Sequence, residues 1–290
     1  MFPWVDYGGR FSPLRAAVFA ALFLPGLYVA LAYSQHWLGA RPLTEAIHQL
    51  GLWTIRLIFL ALAISPARRL LNWPRLIEVR RMVGVAAFCY VIAHFSLFII
   101  DEAFDLFEVV SEIVLRIYLT IGFTALLGLG ALAAASTDGM VKRLGRRWQK
   151  LHNLVYGIGV LAIIHFFIQS KADVWEPIWM AGLYCWLMGW RVLDWAAPRG
   201  RTAPLWQVAA LCLAAAVVTG LGEAVYFMFA MGAPFGRVIE ANFSTAIGVR
   251  PSWIVLGVSC AMALAGLVRR VSGPRAPSPS RSRASAARGA

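Results

Sequence analysis

Charge is scarce in this chain. Of 290 residues only 14% are charged, against about 25% in an ordinary soluble domain, while 60% are hydrophobic and the mean hydropathy is +0.69. That composition excludes a conventional soluble fold of this length. Cysteine is scarce too: Cys89, Cys185, Cys212 and Cys260 lie in apolar stretches and share no short spacing. No C-x-x-C-H occurs, which excludes covalent attachment of a c-type heme, and no zinc pattern is present. Acidic residues number 14 against 27 Lys and Arg, a formal net charge of +13. In a soluble chain that excess would point to nucleic acid. Here the basic residues sit in short loops between apolar runs, the charge pattern of a polytopic membrane protein.

Eight apolar runs are bounded by charge or by Pro and Gly clusters: 14–34, 49–66, 82–100, 116–136, 152–169, 176–194, 205–222 and 252–269. Most are close to the 20 or so residues that cross a hydrocarbon core of about 30 Å. The expected fold class is all-α, a polytopic membrane helix bundle. The first run follows Arg10 and Arg15 and has a tail loosely resembling a cleavage site. Signal-peptide cores are shorter, roughly 7 to 15 residues, so a retained first helix is expected.

Loop charge sets the orientation. Arg68, Arg69, Arg75, Arg80 and Arg81 follow the second run, and Lys142, Arg143, Arg146, Arg147 and Lys150 follow the fourth. Arg199 and Arg201 follow the sixth; Arg269, Arg270, Arg275, Arg281 and Arg283 follow the eighth. The alternate loops carry Asp101, Glu102, Asp105, Glu108 and Glu112, then Lys171, Asp173 and Glu176. The bias places both termini in the cytoplasm of a bacterial inner membrane. Residues 223–250, which contain VYFMFAM, leave room for a re-entrant or interfacial segment. The expected organisation is a cytoplasmic N-terminus (1–13), a six-span unit (14–195), two further spans (196–270) and a disordered basic tail (271–290) without acids, too polar to bury a core.

An ionisable side chain deep in an apolar span is costly and marks a functional site by default. His94 and His165 are two such residues. Both spans run from inside to outside, and the histidines lie 12 and 13 residues from the cytoplasmic ends at 82 and 152, so at about 1.5 Å per residue their depths differ by one or two ångströms. Two parallel helices can thus oppose neutral imidazoles as axial ligands of one non-covalently held heme. The plainer alternative is that each histidine bonds a carbonyl or a serine between helices.

His152 stands at the cytoplasmic mouth of the fifth span, 13 residues before His165, or about 20 Å along the axis and some 140° around it. The matching slot on the third span is Arg81, so a second bis-histidine heme is not supported. His152 is left with ligation by another partner, contact with a flavin or quinone, or a lipid phosphate. His48, at the outer start of the second span, is placed for a heme propionate or for solvent; His36 reads as surface. Arg56, well inside a span, can pair a propionate or a quinone carbonyl, or snorkel to an interface. GLGALA at Gly128–Ala133 and GIGVLA at Gly157–Ala162 match a dinucleotide fingerprint but lie within spans, where they read as packing glycines. No internal repeat is apparent.

The stretches RRMVGVAAFCYVIAHFSLFI, RIYLTIGF and STDGMVKRLGRRWQKLHNLVYGIGVLAIIHFF closely resemble the MsrQ (YedZ) family, within the ferric-reductase-like transmembrane superfamily. The similarity covers roughly residues 15–195 and six spans, and its most specific part is K-R-L-G-R-x-W-x-x-L-H-N. The resemblance implies a heme b subunit that takes electrons from the quinone pool or a cytoplasmic flavin reductase. It would pass them outward to a periplasmic molybdopterin partner that reduces methionine sulfoxide. The family's outer heme ligands fall on His94 and His165 and its third intramembrane histidine on His152. FMN is implied by resemblance only, since no motif for it can be located. The chain departs from the family after about residue 200, with two additional spans.

Two other functions compete. A ferric-reductase-like metalloreductase would need a separate reductase chain. A cofactor-free transporter or scaffold would use the histidines for proton relay or helix ties.

Overall fold

Pro25 shapes the first element. The computed structural model describes residues 2–5, 8–171, 173–198, 203–244, 246 and 248–272. Within it, α1 (Pro13–Ala21) and α2 (Leu24–Ser34) together make one membrane-length stretch with a break between them. A proline inside a helix removes one N–H and crowds the carbonyl four residues back, here Ala21. The Tyr90 hydroxyl enters the gap, accepting from Gly26 N–H and donating to the Leu22 carbonyl, both at 2.8 Å. Gly26 N–H and Leu22 C=O are the pair that a continuous helix would join directly, so a side chain from another helix has replaced one rung of the ladder.

The other expected spans are α3 (Pro42–Leu70), α4 (Ile77–Asp101, preceded by a 3₁₀ turn at Pro74–Leu76), α6 (Ile117–Ala134), α9 (Leu154–Gln169), α10 (Trp175–Ala196), α11 (Leu205–Met231) and α13 (Pro251–Ser272). Seven stretches among the described residues are long and apolar enough to cross a membrane. The sixth expected span, α10, is the exception by composition, although its 22 residues reach about 33 Å. Trp175, Trp179, Trp186, Trp190, Glu176, Arg191 and Asp194 lower its hydropathy, and it is one of the well-buried helices. The chain is a multi-pass helical membrane protein with a six-span core and two further C-terminal spans.

Four short helices lie outside the expected spans: α5 (Leu106–Leu115), α7 (Asp138–Leu144), α8 (Arg146–His152) and α12 (Phe235–Ala241). The acidic 101–112 segment is thus partly helical. Asp105 caps α5 by accepting from the N–H groups of Phe107 and Glu108, as an N-cap aspartate does.

The central element is α3, packed against α2, α4, α9, α10 and α13. Its buried Ile55, Ile58, Phe59 and Leu62 meet Val83, Ala87 and Val91 of α4 and Tyr184 and Leu187 of α10 in one core. The packing role expected for two of the glycines holds: a Cβ at Gly128 would stand 2.9 Å from Ile158, and one at Gly159 2.8 Å from Tyr184. The two further spans complete this core with Val208, Cys212, Ala215 and Val255. α11 runs nine residues beyond the expected end at 222 and stops at Gly232 in the left-handed region (φ 65°), a glycine C-cap. It crosses Glu223, which is 1% exposed, because that carboxylate is ion-paired to Arg250 at 2.5 Å and accepts from Asn242 Nδ2 at 3.1 Å. The expected tail, 271–290, falls almost wholly outside the described residues.

Candidate functional site

His94 projects from the C-terminal half of α4 and His165 from the C-terminal half of α9. Their ring centroids are 6.4 Å apart, with the planes edge-on at 85°. Each ring is tied at one nitrogen. His94 Nδ1 lies 2.7 Å from the Ile47 carbonyl of α3, and His165 Nδ1 lies 2.7 Å from the Tyr118 carbonyl of α6. A carbonyl only accepts, so both imidazoles carry their proton on Nδ1 and present Nε2 as the lone-pair nitrogen. Both rings are half-buried rather than sealed in the core.

The two ties are built alike. On α3, Ile47 and Gly51 are one turn apart, and a Cβ at Gly51 would sit 3.0 Å from His94 Cε1. On α6, Tyr118 and Gly122 are one turn apart, and a Cβ at Gly122 would sit 2.7 Å from His165 Nδ1. Each ring therefore lies against helix backbone bared by a glycine. This repetition escaped the sequence reading, which found no repeat. The signal was the shared spacing: the second set lies 71 positions after the first (118 against 47, 122 against 51, 165 against 94), and I-x-H-F recurs at Ile92–Phe95 and Ile163–Phe166.

The other candidates stand apart. His152 ends α8 near the opposite membrane face; its ring stacks on Trp148 at 3.8 Å, Nδ1 bonds the Trp148 carbonyl at 3.1 Å, and Nε2 lies 3.3 Å from Ser136 Oγ. It does not join the other two histidines. His48 is exposed on α3, next to Ile47, and its Nε2 lies 3.1 Å from Gln169 Nε2, one turn past His165. Arg56 is paired with Glu176 of α10 at 2.6 Å and lies over Trp53 at 4.9 Å. Its charge is met within the protein, so neither a propionate nor a quinone is needed to explain it. His36 is exposed in the loop after α2.

Beyond the C-terminal end of α4 the surface is acidic. Partial burial, and then Glu112, Asp101 and Glu108, hold the Glu102 carboxyl above the ordinary carboxylate range, while Arg116 neutralises Glu112 in a direct ion pair. An open recess of about 390 Å³ lies nearby between the start of α3 and the end of α4, lined by Arg41, Pro42, Leu43, Thr44 and Asp101. Among the described residues no three His, Cys, Asp or Glu side chains converge. A histidine pair of this kind suits the two axial positions of a metal whose equatorial ligands come from elsewhere, rather than a bare ion with an all-protein ligand set.

The membrane helix bundle matches, over residues 50–163, the family described as ferric reductase like transmembrane component. The relatives are more specific. The protein-methionine-sulfoxide reductase heme-binding subunit MsrQ of Xanthomonas campestris pv. campestris (strain 8004) is 41% identical over 199 residues, covering 65% of this chain and 90% of the relative. Its counterpart in Rhodospirillum rubrum is 41% identical over 181 residues, covering 62% and 87%. That of Xanthomonas oryzae pv. oryzae (strain MAFF 311018) is 39% identical over 184 residues, covering 61% and 84%. The chain belongs to the MsrQ family. No solved structure matches it.

Proposed function

We propose that this chain is a heme b membrane subunit that passes electrons outward across a bacterial inner membrane to a periplasmic, molybdopterin-containing methionine sulfoxide reductase. The observation that carries this reading is the His94–His165 pair. If both imidazoles held one metal ion at about 2.0 Å, their ring centres would stand roughly 6 Å apart. The observed 6.4 Å suits that separation. Bound there, heme b supplies reversible one-electron exchange.

The chain's own residues do the rest. His94 and His165 hold the group from two helices, and the Ile47 and Tyr118 carbonyls fix the tautomer and strengthen each Nε2 as a ligand. With His94 and His165 both holding the iron, oxygen would find no open position there, which suits electron transfer rather than oxygen activation. His48 and Gln169 lie beside the tied rings on the outer side, within reach of a propionate. Electrons would enter from the quinone pool or a flavin reductase on the cytoplasmic side, where both termini are placed by the loop charges. His152 stands on that side as a contact for the donor. FMN is not carried into this reading.

The ferric-reductase-like family match favours one second reading, a metalloreductase subunit. Purified protein is reduced chemically and mixed anaerobically with either the periplasmic reductase plus a methionine sulfoxide peptide or a ferric chelate. Reoxidation of a b-type band coupled to methionine formation is the expected result. Reoxidation by the chelate alone would replace the proposed function with the second reading.

A further inference from the structure

We infer that Gly51 and Gly122 are positioning residues, and that the two histidine sites are copies of one device repeated within the chain. The inference rests on the proposed heme ligation and deepens it. In a helix the N–H of residue i bonds the carbonyl of residue i−4, so the Ile47 carbonyl receives Gly51 N–H from its own helix and His94 Nδ1–H from α4. The Tyr118 carbonyl receives Gly122 N–H and His165 Nδ1–H in the same way. A carbonyl has two lone pairs and can accept both. The ring that shares the bond must lie beside the residue donating the other N–H, which is where a side chain would stand. Glycine leaves that place open: a Cβ at Gly122 would stand 2.7 Å from the ring, closer than real Cβ atoms come, and one at Gly51 3.0 Å, so tight that the ring would have to shift by a few tenths of an ångström.

The repetition covers more than the glycines. The hairpin-like pairs α3 with α4 and α6 with α9 each supply a carbonyl, a glycine one turn later and a histidine 47 residues after the carbonyl, at the same 2.7 Å. The 71-residue offset holds for all three positions and for the I-x-H-F segment. Other glycines on the same four helices differ: a Cβ at Gly84 or Gly157 would meet nothing within 4 Å. What the locks set is the rotation of each ring about its own axis. The two locks hold the ring planes at 85° to one another.

The test uses the full-length protein purified with its heme. Near-perpendicular axial imidazoles give ferric low-spin heme an electron paramagnetic resonance signal with one large g-value, whereas near-parallel rings give a three-line rhombic signal. The wild-type protein is expected to show the first kind, and a rhombic signal overturns the inference without any variant being made. Gly51→Ala and Gly122→Ala are each expected to move the largest g-value and the midpoint potential, or to lower heme content several-fold, with the larger effect at Gly122. Gly84→Ala and Gly157→Ala are expected to leave all three unchanged. Signals and potentials in Gly51→Ala and Gly122→Ala indistinguishable from wild type, at full heme content, overturn the inference. If His94→Ala and His165→Ala also keep their heme, the ligation itself has failed; if only the histidine variants lose it, the glycine locks alone have.

Discussion

At the scale of single residues, this protein relies on polar groups that each satisfy a neighbouring backbone. Tyr90 is the clearest case, because its hydroxyl replaces a helix rung broken by Pro25 and so fastens the first span to α4, one turn before His94. Tyr90→Phe leaves Gly26 N–H and the Leu22 carbonyl without partners in a region with little water. The expected loss is about 1–3 kcal/mol, read as a lower thermal midpoint in detergent. An unchanged midpoint would mean that the break heals by itself. The histidine pair was legible in the sequence because an imidazole in an apolar run stands out, and equal depth on two co-directional spans singled out the pair. The glycines opposite were not legible. A glycine in a membrane helix reads as packing whether it faces leucine or imidazole, and only the structure distinguishes Gly128 against Ile158 from Gly122 against His165.

At the scale of elements, the two C-terminal spans are joined by a buried polar cluster. Arg250 and Asn242 meet Glu223, Ser252 Oγ bonds Asn242 Oδ1 at 2.7 Å, and Trp253 Nε1 bonds the Asn242 carbonyl at 2.6 Å. Asn242 lies just past α12, so the cluster fixes the α11–α13 connection onto both helices. Removing one ion of a buried pair leaves the other uncompensated, so Glu223→Ala is expected to cost about 3–5 kcal/mol, while Glu223→Leu with Arg250→Met is expected to be close to neutral. Thermal unfolding of both variants checks this; equal losses in the two would show that the pair is not what closes the module. Among the described residues, apolar runs alone located the seven long helices and the broken α1–α2 stretch. Their lengths were less legible, because a charge ends an apolar run in a sequence but does not end a helix when a partner meets it, as Arg250 meets Glu223. The short α5 was missed for the opposite reason: ten residues capped by Asp105 are too few to stand out as a period among acids.

At the scale of the whole molecule, the histidine site lies among α3, α4, α6 and α9, while α11 and α13 pack on α10 and α13 also on α3. The relatives align with about two thirds of this chain, and that stretch makes up 87–90% of their own length. The proposed function depends on one feature, an iron that His94 and His165 would hold between them. The most direct measurement is a pyridine hemochrome assay with reduced-minus-oxidised spectra on purified wild-type, His94→Ala and His165→Ala proteins. A b-type heme present in the wild type, and lost or converted from low spin in both variants, is the predicted result. A colourless wild-type protein, or an undiminished low-spin b-type band in either variant, would contradict it.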